Sequence, residues 1–298
     1  MIDGMVDAVL IGTASRGLGS RLALELRASP IQVESKTFPD GESYIRIPEE
    51  VRGIDVAVVQ STYYPQNRHL VELFLILDAL TDLGVDSITA IVPYLAYARQ
   101  DKRFRPGEAI SSHTVIKILE RLGARRFLTC NIHKEEILTH FTIPALNISA
   151  TPAVADYIKG RGLQDPLILA PDAGGAALAE DVARRVGSDH AVFEKHRDKE
   201  TGAVETEFKK IPVEGRDVVI VDDIISTGST IANVARMVKS QKARKVLTVC
   251  IHPVLASGAE ERMREAGVDQ VVGTDCVESP VSHITVAPLL AEALRKSL

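Results

Sequence analysis

The chain has 298 residues, 45% of them apolar and 4% aromatic, with no Trp; this is long for one ordinary domain and comfortable for two of about 150 residues. Its formal net charge of −5 argues against nucleic acid as a partner, because nucleic-acid binders ordinarily show a basic balance or a long basic stripe. Three widely spaced cysteines, Cys130, Cys250 and Cys276, form no CxxC pair, so they read as reduced thiols rather than a metal site or disulfide framework.

The opening Met1-Ile2-Asp3-Gly4 has neither the basic region nor the apolar core of a signal peptide, and no apolar run of 18 residues occurs. A soluble, cytoplasmic protein with no membrane partner is expected. Short apolar runs alternate with helix-period stretches along almost the whole chain. Strands are predicted at Asp7–Ile11, Asp55–Gln60, Ser87–Val92, Arg126–Cys130, Pro166–Ala170, His190–Phe193, Asp217–Val221, Lys245–Ile251 and Asp269–Gly273. Helices are predicted at Asn67–Leu83, Ser111–Leu122, Thr151–Gly160, Gly174–Val186, Thr230–Ser240 and Gly258–Ala266. In the first of these, Leu70, Leu73, Phe74, Leu77 and Leu80 recur at steps of three and four, which marks a packed helix face. Strands separated by helices imply βαβ units and mostly parallel sheets. A boundary near Ile148–Pro152 leaves each side its own set of elements. Domains over residues 1–149 and 150–298 are therefore expected, with the last helix free to pack back onto the first.

Several segments carry chemistry. The Gly12–Gly19 run lacks the G-x-G-x-x-G spacing, and no acid follows the next strand to read a ribose, so a dinucleotide site is rejected; no Walker A sequence occurs either. Pro39-Asp40-Gly41 is first of all a turn, flanked by Phe38 and Glu42. Arg99, Lys102, Arg103 and Arg105 form a basic run shortly after an apolar strand, either a phosphate funnel or a solvated face. The polar, Gly-punctuated Lys195–Gly202 stretch reads as a mobile loop suited to closing over substrate. Within it Lys195 and Arg197 fall two apart, so an extended backbone projects both cations to one side, where an anion would relieve their repulsion.

The strongest signal is the run from Val218 to Thr230, Val-Val-Ile-Val-Asp-Asp-Ile-Ile-Ser-Thr-Gly-Ser-Thr. An apolar strand is expected to end in Asp222 and Asp223, pass through a hydroxyl-rich turn and enter a helix. That is where ligands bind in open parallel sheets. Backbone N–H groups at the helix start, with the hydroxyls of Ser226, Thr227, Ser229 and Thr230, would cradle an anion, and Gly228 would permit φ > 0. The two carboxylates would accept from sugar hydroxyls or ligate a hard cation. Turn formers plus a helix N-cap would explain one acid and one hydroxyl but not the whole run.

This run resembles the phosphoribosyl pyrophosphate binding signature of type I phosphoribosyltransferases and of phosphoribosyl pyrophosphate synthetases, and does not choose between them. Phe38-Pro39-Asp40-Gly41-Glu42 and the Pro93–Arg103 segment (Pro-Tyr-Leu-Ala-Tyr-Ala-Arg-Gln-Asp-Lys-Arg) are similar to motifs of the synthetases alone. The similarity continues colinearly through Asn131-Ile132-His133, Pro171-Asp172-Ala173-Gly174-Gly175 and Lys195-His196-Arg197. The resemblance implies two α/β domains of type I phosphoribosyltransferase-like fold, each a mostly parallel sheet flanked by helices. It implies a ribose-phosphate diphosphokinase, which moves the diphosphoryl group of MgATP to the C1 hydroxyl of ribose 5-phosphate. By position, Phe38, Asp40, Gly41 and Glu42 would lie near the adenine, and Arg99 and Gln100 would contact ATP with Asp101 and Lys102 beside them. His133 and Asp172 would hold magnesium or the water around it. Asp222, Asp223, Ser226, Thr227, Gly228, Ser229 and Thr230 would hold ribose 5-phosphate. Lys195 and Arg197 would neutralise the transferring group, and the protein would form a homo-oligomer built on dimers. His133 is an atypical ligand for magnesium, which prefers oxygen, so a hydrogen bond to phosphate or metal-bound water fits equally. Ser226, Asn131, His196 and Glu194 depart from residues common in the family, the first and last in the manner of its shorter archaeal members. Two other readings stand beside this one: a catalytically silent regulatory subunit, or a phosphoribosyltransferase.

Overall fold

The computed structural model describes residues 6–193 and 211–297. Lys195 and Arg197, with Glu194 and His196, lie outside the described residues. The chain forms two compact units: Met1–Ser149 with Asp275–Glu278 and Thr285–Leu298, and Ala150–Thr274 with Ser279–Ile284.

In the first unit the order is β1 (Ala8–Ile11), α1 (Arg16–Leu26), β2 (Ser29–Gln32), β3 (Glu34–Thr37), β4 (Ser43–Arg46), β5 (Asp55–Val59), α2 (Gln66–Leu83), β6 (Ser87–Ile91), α3 (Ser111–Arg121), β7 (Ala124–Cys130), a 3₁₀ turn (Glu135–His140) and β8 (Ala145–Ile148). Six strands make one parallel sheet in the order β2-β1-β5-β6-β7-β8, while β3 and β4 pair antiparallel as a separate hairpin. The central strands are aliphatic and buried, as parallel strands must be. On α2, Leu70, Leu73, Ile76, Leu77 and Leu80 are buried, whereas Phe74 only borders the core. Gly84, at φ +76°, closes that helix in the left-handed conformation.

The second unit runs α4 (Thr151–Lys159), β9 (Leu167–Ala170), a 3₁₀ turn (Ala173–Gly175), α5 (Ala176–Val186), β10 (Asp189–Val192), β11 (Asp217–Ile225), α6 (Ser229–Ser240), β12 (Lys245–Pro253), α7 (Ala259–Glu265), β13 (Gln270–Thr274) and β14 (Ser282–Ile284). Its six strands are again all parallel, in the order β10-β9-β11-β12-β13-β14. The last helix, α8 (Ala287–Ser297), packs on α1 in the first unit. Each unit is thus a parallel α/β sheet with helices packed against it. No helix among the described residues is long and apolar enough to cross a membrane.

One boundary differs in a way that bears on chemistry. β11 does not stop at Val221 but continues to Ile225, because β12 also runs on to Pro253 and keeps pairing with it. Asp222 lies opposite Cys250 and Ile224 opposite His252. The two acids therefore sit on the last turn of a strand held by its neighbour, not on a free loop.

Candidate active site

In the second unit, β9 and β11 are neighbours, so the segments that follow them emerge side by side at one sheet edge. Asp172 follows β9, caps the 3₁₀ turn and accepts from the Gly174 amide at 2.9 Å. Asp222 and Asp223 are half-buried near the end of β11. The Asp223 N–H donates to Asp222 Oδ1 at 3.0 Å, and the Ile224 N–H to Asp223 Oδ1 at 2.8 Å. Burial pushes the Asp222 carboxyl up to about 8, and the negative charges of Asp223 and Asp172 push the same way. The site therefore favours a protonated Asp222 until a cation or a hydrogen-bond donor offsets its charge.

The turn from Ser226 to Thr230 enters α6 with Gly228 as N-cap, at φ +71°, a residue with no side chain to cap the helix. Its first N–H groups and the positive end of its dipole are therefore directed at whatever lies in the turn. A side chain at Gly228 would meet Ala259 O and Met263 Cγ at 3.1 Å, so this position needs glycine on two counts. The turn is fastened from behind: Leu255 N–H donates to Ile225 O at 3.0 Å, Ala256 N–H to Ser226 O at 2.9 Å, and the Arg262 guanidinium to Thr227 O. Thr227 and Ser229 hydroxyls stand 3.2 Å apart, both exposed. Arg262, which holds the cradle rigid from α7, carries no signal in the sequence because it is one cation of an ordinary helix.

In the first unit, Phe38–Glu42 form the tip of the β3–β4 hairpin. Phe38 N–H donates to Glu42 O at 2.8 Å, Gly41 N–H to Phe38 O at 2.9 Å, and Glu42 N–H to Asp40 Oδ1 at 3.2 Å. Gly41 adopts φ +97° in open space, so the turn asks for glycine by conformation alone. The basic segment follows β6 and His133 follows β7, which places both along one edge of the first sheet. Tyr97 sits at φ +65°, a conformation rare for an aromatic residue. Just past it Gln100 N–H donates to Tyr97 O at 3.1 Å. Ser112, at the start of α3, donates its N–H and Oγ to Gln100 O at 3.4 and 3.2 Å. Glu108 Oε2 accepts from the Phe104 and Arg105 amides at 2.8 and 3.0 Å, shaping the turn between Lys102 and Glu108. Arg99 and Lys102 are exposed, with Gln100 and Asp101 half-buried between them.

Residues 8–123 match the family model of the N-terminal domain of ribose phosphate pyrophosphokinase, and residues 141–287 match that of the phosphoribosyl transferase domain. A ribose-phosphate pyrophosphokinase of Saccharolobus solfataricus is 43% identical over 270 residues, covering 90% of this chain and 92% of that protein. The chain belongs to the ribose-phosphate pyrophosphokinase family. A second ribose-phosphate pyrophosphokinase, from Methanosarcina acetivorans, is 42% identical over 289 residues, with 97% and 99% covered. The crystal structure of phosphoribosylpyrophosphate synthetase from Mycobacterium smegmatis superposes with a TM-score of 0.83 at 30% identity, covering 97% of this chain and 98% of that one. The ribose-phosphate pyrophosphokinase match over the first half separates the chain from plain phosphoribosyltransferases, for which the β11–α6 turn alone would serve equally.

Proposed function

We propose that the chain is an active ribose-phosphate diphosphokinase: it transfers the diphosphoryl group of MgATP to the C1 hydroxyl of ribose 5-phosphate and releases AMP. What carries this reading is the ribose phosphate pyrophosphokinase N-terminal domain match over residues 8–123, beside the Gly228 turn that joins two half-buried acids to the start of α6. A sugar phosphate has both halves of the required chemistry. Its phosphate accepts from the N–H groups and hydroxyls of Ser226–Thr230, and its hydroxyls donate to Asp222 and Asp223.

The C1 hydroxyl oxygen attacks the β-phosphorus and its proton passes to solvent, the bond from that phosphorus to the α,β-bridging oxygen breaks, and AMP leaves with that oxygen. Such transfer asks for positioning and charge neutralisation more than covalent help. Arg99 and Gln100, with Asp101 and Lys102 beside them, are assigned to ATP, and Phe38, Asp40, Gly41 and Glu42 to its base. Lys195 and Arg197 are assigned to the transferring group.

Among the described residues no group of three or more His, Cys, Asp or Glu could enclose a metal ion. Magnesium suits this economy, because it keeps several waters and binds through one or two carboxylates plus substrate phosphates. The raised Asp222 carboxyl supports the fit, since it marks negative charge that a cation would relieve. Asp172 is assigned to that ion, and His133 to the ion or its water; magnesium supplies charge screening to the phosphates.

Cytoplasmic residence is supported by three buried cysteines that form no disulfide, and a dimer-based homo-oligomer by the family resemblance; native mass measurement tests the latter. Purified protein with MgATP and ribose 5-phosphate decides the main reading: AMP is expected. Release of ADP would indicate an ordinary kinase, and absence of both with intact ribose 5-phosphate binding a silent subunit.

A further inference from the structure

The outward face of the β3–β4 hairpin carries an arrangement that the motif around Phe38 does not announce. The antiparallel register sets Glu34 opposite Arg46 and Lys36 opposite Tyr44. Strand alternation brings Phe38, two residues beyond Lys36, onto the same face. The opposite face is turned inward: Ile45 packs against the first unit's core and Ser43 Oγ donates to Glu72 at 3.1 Å. The Lys36 ammonium stands 4.8 Å from the Phe38 ring centroid and 4.7 Å from that of Tyr44. The two rings meet edge to face at 6.2 Å and 82°.

Both rings remain well exposed, Phe38 at 39% and Tyr44 at 38%. Core packing does not account for them, because neither is buried. Stability does not account for Lys36 either, since an exposed cation–π contact is weak and pinning a long side chain opposes it entropically. Lys36 covers one face of each ring, and the part of the two rings that remains exposed beside this cation suits an aromatic base joined to a polyphosphate. The rings contact the base and the cation favours the anion.

We propose that Lys36 and Tyr44, together with Phe38, form the platform that takes the nucleotide base. A base stacked on Phe38 would meet Tyr44 edge to face, because the two rings stand at 82°, and Lys36 adds positive charge beside them. This rests on the assignment of Phe38 to the adenine, and extends it to two residues outside the Phe-Pro-Asp-Gly-Glu motif.

The test is steady-state AMP release by the purified full chain carrying Tyr44→Ala, Tyr44→Phe or Lys36→Met, each checked by circular dichroism. Loss of a base–aromatic contact should raise KM for ATP on the order of 10-fold in Tyr44→Ala, and loss of the cation about 3-fold in Lys36→Met. KM for ribose 5-phosphate and kcat should stay within about twofold, and Tyr44→Phe should restore KM for ATP. Contact with the base grows with ring area, so the preference in kcat/KM for ATP over CTP should shrink at least about threefold in Tyr44→Ala and return in Tyr44→Phe. Unchanged KM for ATP and unchanged selectivity in correctly folded Tyr44→Ala and Lys36→Met would overturn the platform. If the unmodified chain releases no AMP, the functional reading falls instead. Calorimetric titration of the same variants with ATP then decides the platform: weakened binding supports it, and equal affinity rejects it.

Discussion

The buried carboxylate of Glu72 on α2 accepts a 3.1 Å hydrogen bond from Ser43 Oγ on β4, and so fastens the hairpin that carries Phe38 to the body of the first unit. Glu72 is fully buried, pairs with Arg68 at 2.7 Å and also accepts from Thr13 Oγ1. Burial alone would push its carboxyl upward, but the hydrogen bonds from Thr13, Arg68 and Ser43 win and hold it below the usual range.

Glu72→Gln keeps the volume and removes the charge, leaving an amide N–H₂ aimed at donors. A loss of about 2 kcal/mol is expected, or roughly 4 °C in Tm for a chain of this size. A lowered folded value means that the stabilisation is present above the unfolded pKa and lost as pH falls through the folded one. The gap between unmodified chain and variant should therefore be full near pH 7 and close in acid below about pH 4. Thermal scans across that range check it; a gap that does not change with pH would mean the charge contributes nothing.

Asp222 behaves in the opposite sense. Its folded value is raised to about 8, above the ordinary carboxylate value of about 3.9. The folded protein without ligand therefore favours the protonated form, and stability declines as pH climbs from the unfolded value to the folded one. Asp222→Asn escapes that decline. Its Tm should match or exceed that of the unmodified chain, with an advantage that grows from pH 5 to pH 8 and reaches about 4 °C. Activity should nevertheless fall about 100-fold or more if Asp222 accepts from the sugar hydroxyls as proposed, since they lose their charged acceptor. Thermal scans paired with AMP release measure both, and a variant that is active or less stable at pH 8 contradicts the assignment.

Much of this site was readable in sequence, for a physical reason. The β11–α6 segment is local: a continuous aliphatic run, two acids, a Gly-hydroxyl turn and a helix all fall within 13 residues. Even there β11 runs past the end its sequence suggests, because Asp222 and Asp223 look like a strand stop while β12 in fact pairs beyond them. The edge strand β10 was readable, but the other three edges, β2, β8 and β14, and the β3–β4 hairpin were not. β2 holds only one buried side chain and a Pro, and β3–β4 turns mostly polar residues outward. The helix α1 hides in a glycine-rich run, where Gly19 lies against Ile11 so closely that a side chain would come within 2.9 Å. Its N-terminus is capped by Glu278, which accepts from the Leu18 amide at 3.0 Å, and Arg21 pairs with Asp275 at 3.0 Å. Partners some 250 residues apart leave no mark on a single sequence.

Gly228 offers a cleaner test of the cradle than any charged residue. Gly228→Ala places a Cβ 3.1 Å from Ala259 O and Met263 Cγ on a backbone at φ +71°. Strain and displacement together should cost about 1–2 kcal/mol. Because the N–H groups of the turn move with it, KM for ribose 5-phosphate should rise about 10-fold or more while KM for ATP changes little. Equal increases in both constants would show general loosening rather than a phosphate cradle.

Lys195 lies outside the described residues, and its assignment rests on chemistry and on sequence position. A cation that meets the transferring group only as charge develops should affect turnover far more than ground-state binding. Lys195→Ala is expected to lower kcat about 100- to 1000-fold with KM for both substrates within a fewfold. Lys195→Arg keeps the charge but replaces a compact ammonium with a planar fork, so partial recovery is expected. Rapid-quench measurement of AMP formation separates the chemical step from product release. If Lys195→Ala shows a normal quench rate, the cation does not act on the transferring group, and Arg197 on the same segment becomes the residue to test by the same measurement.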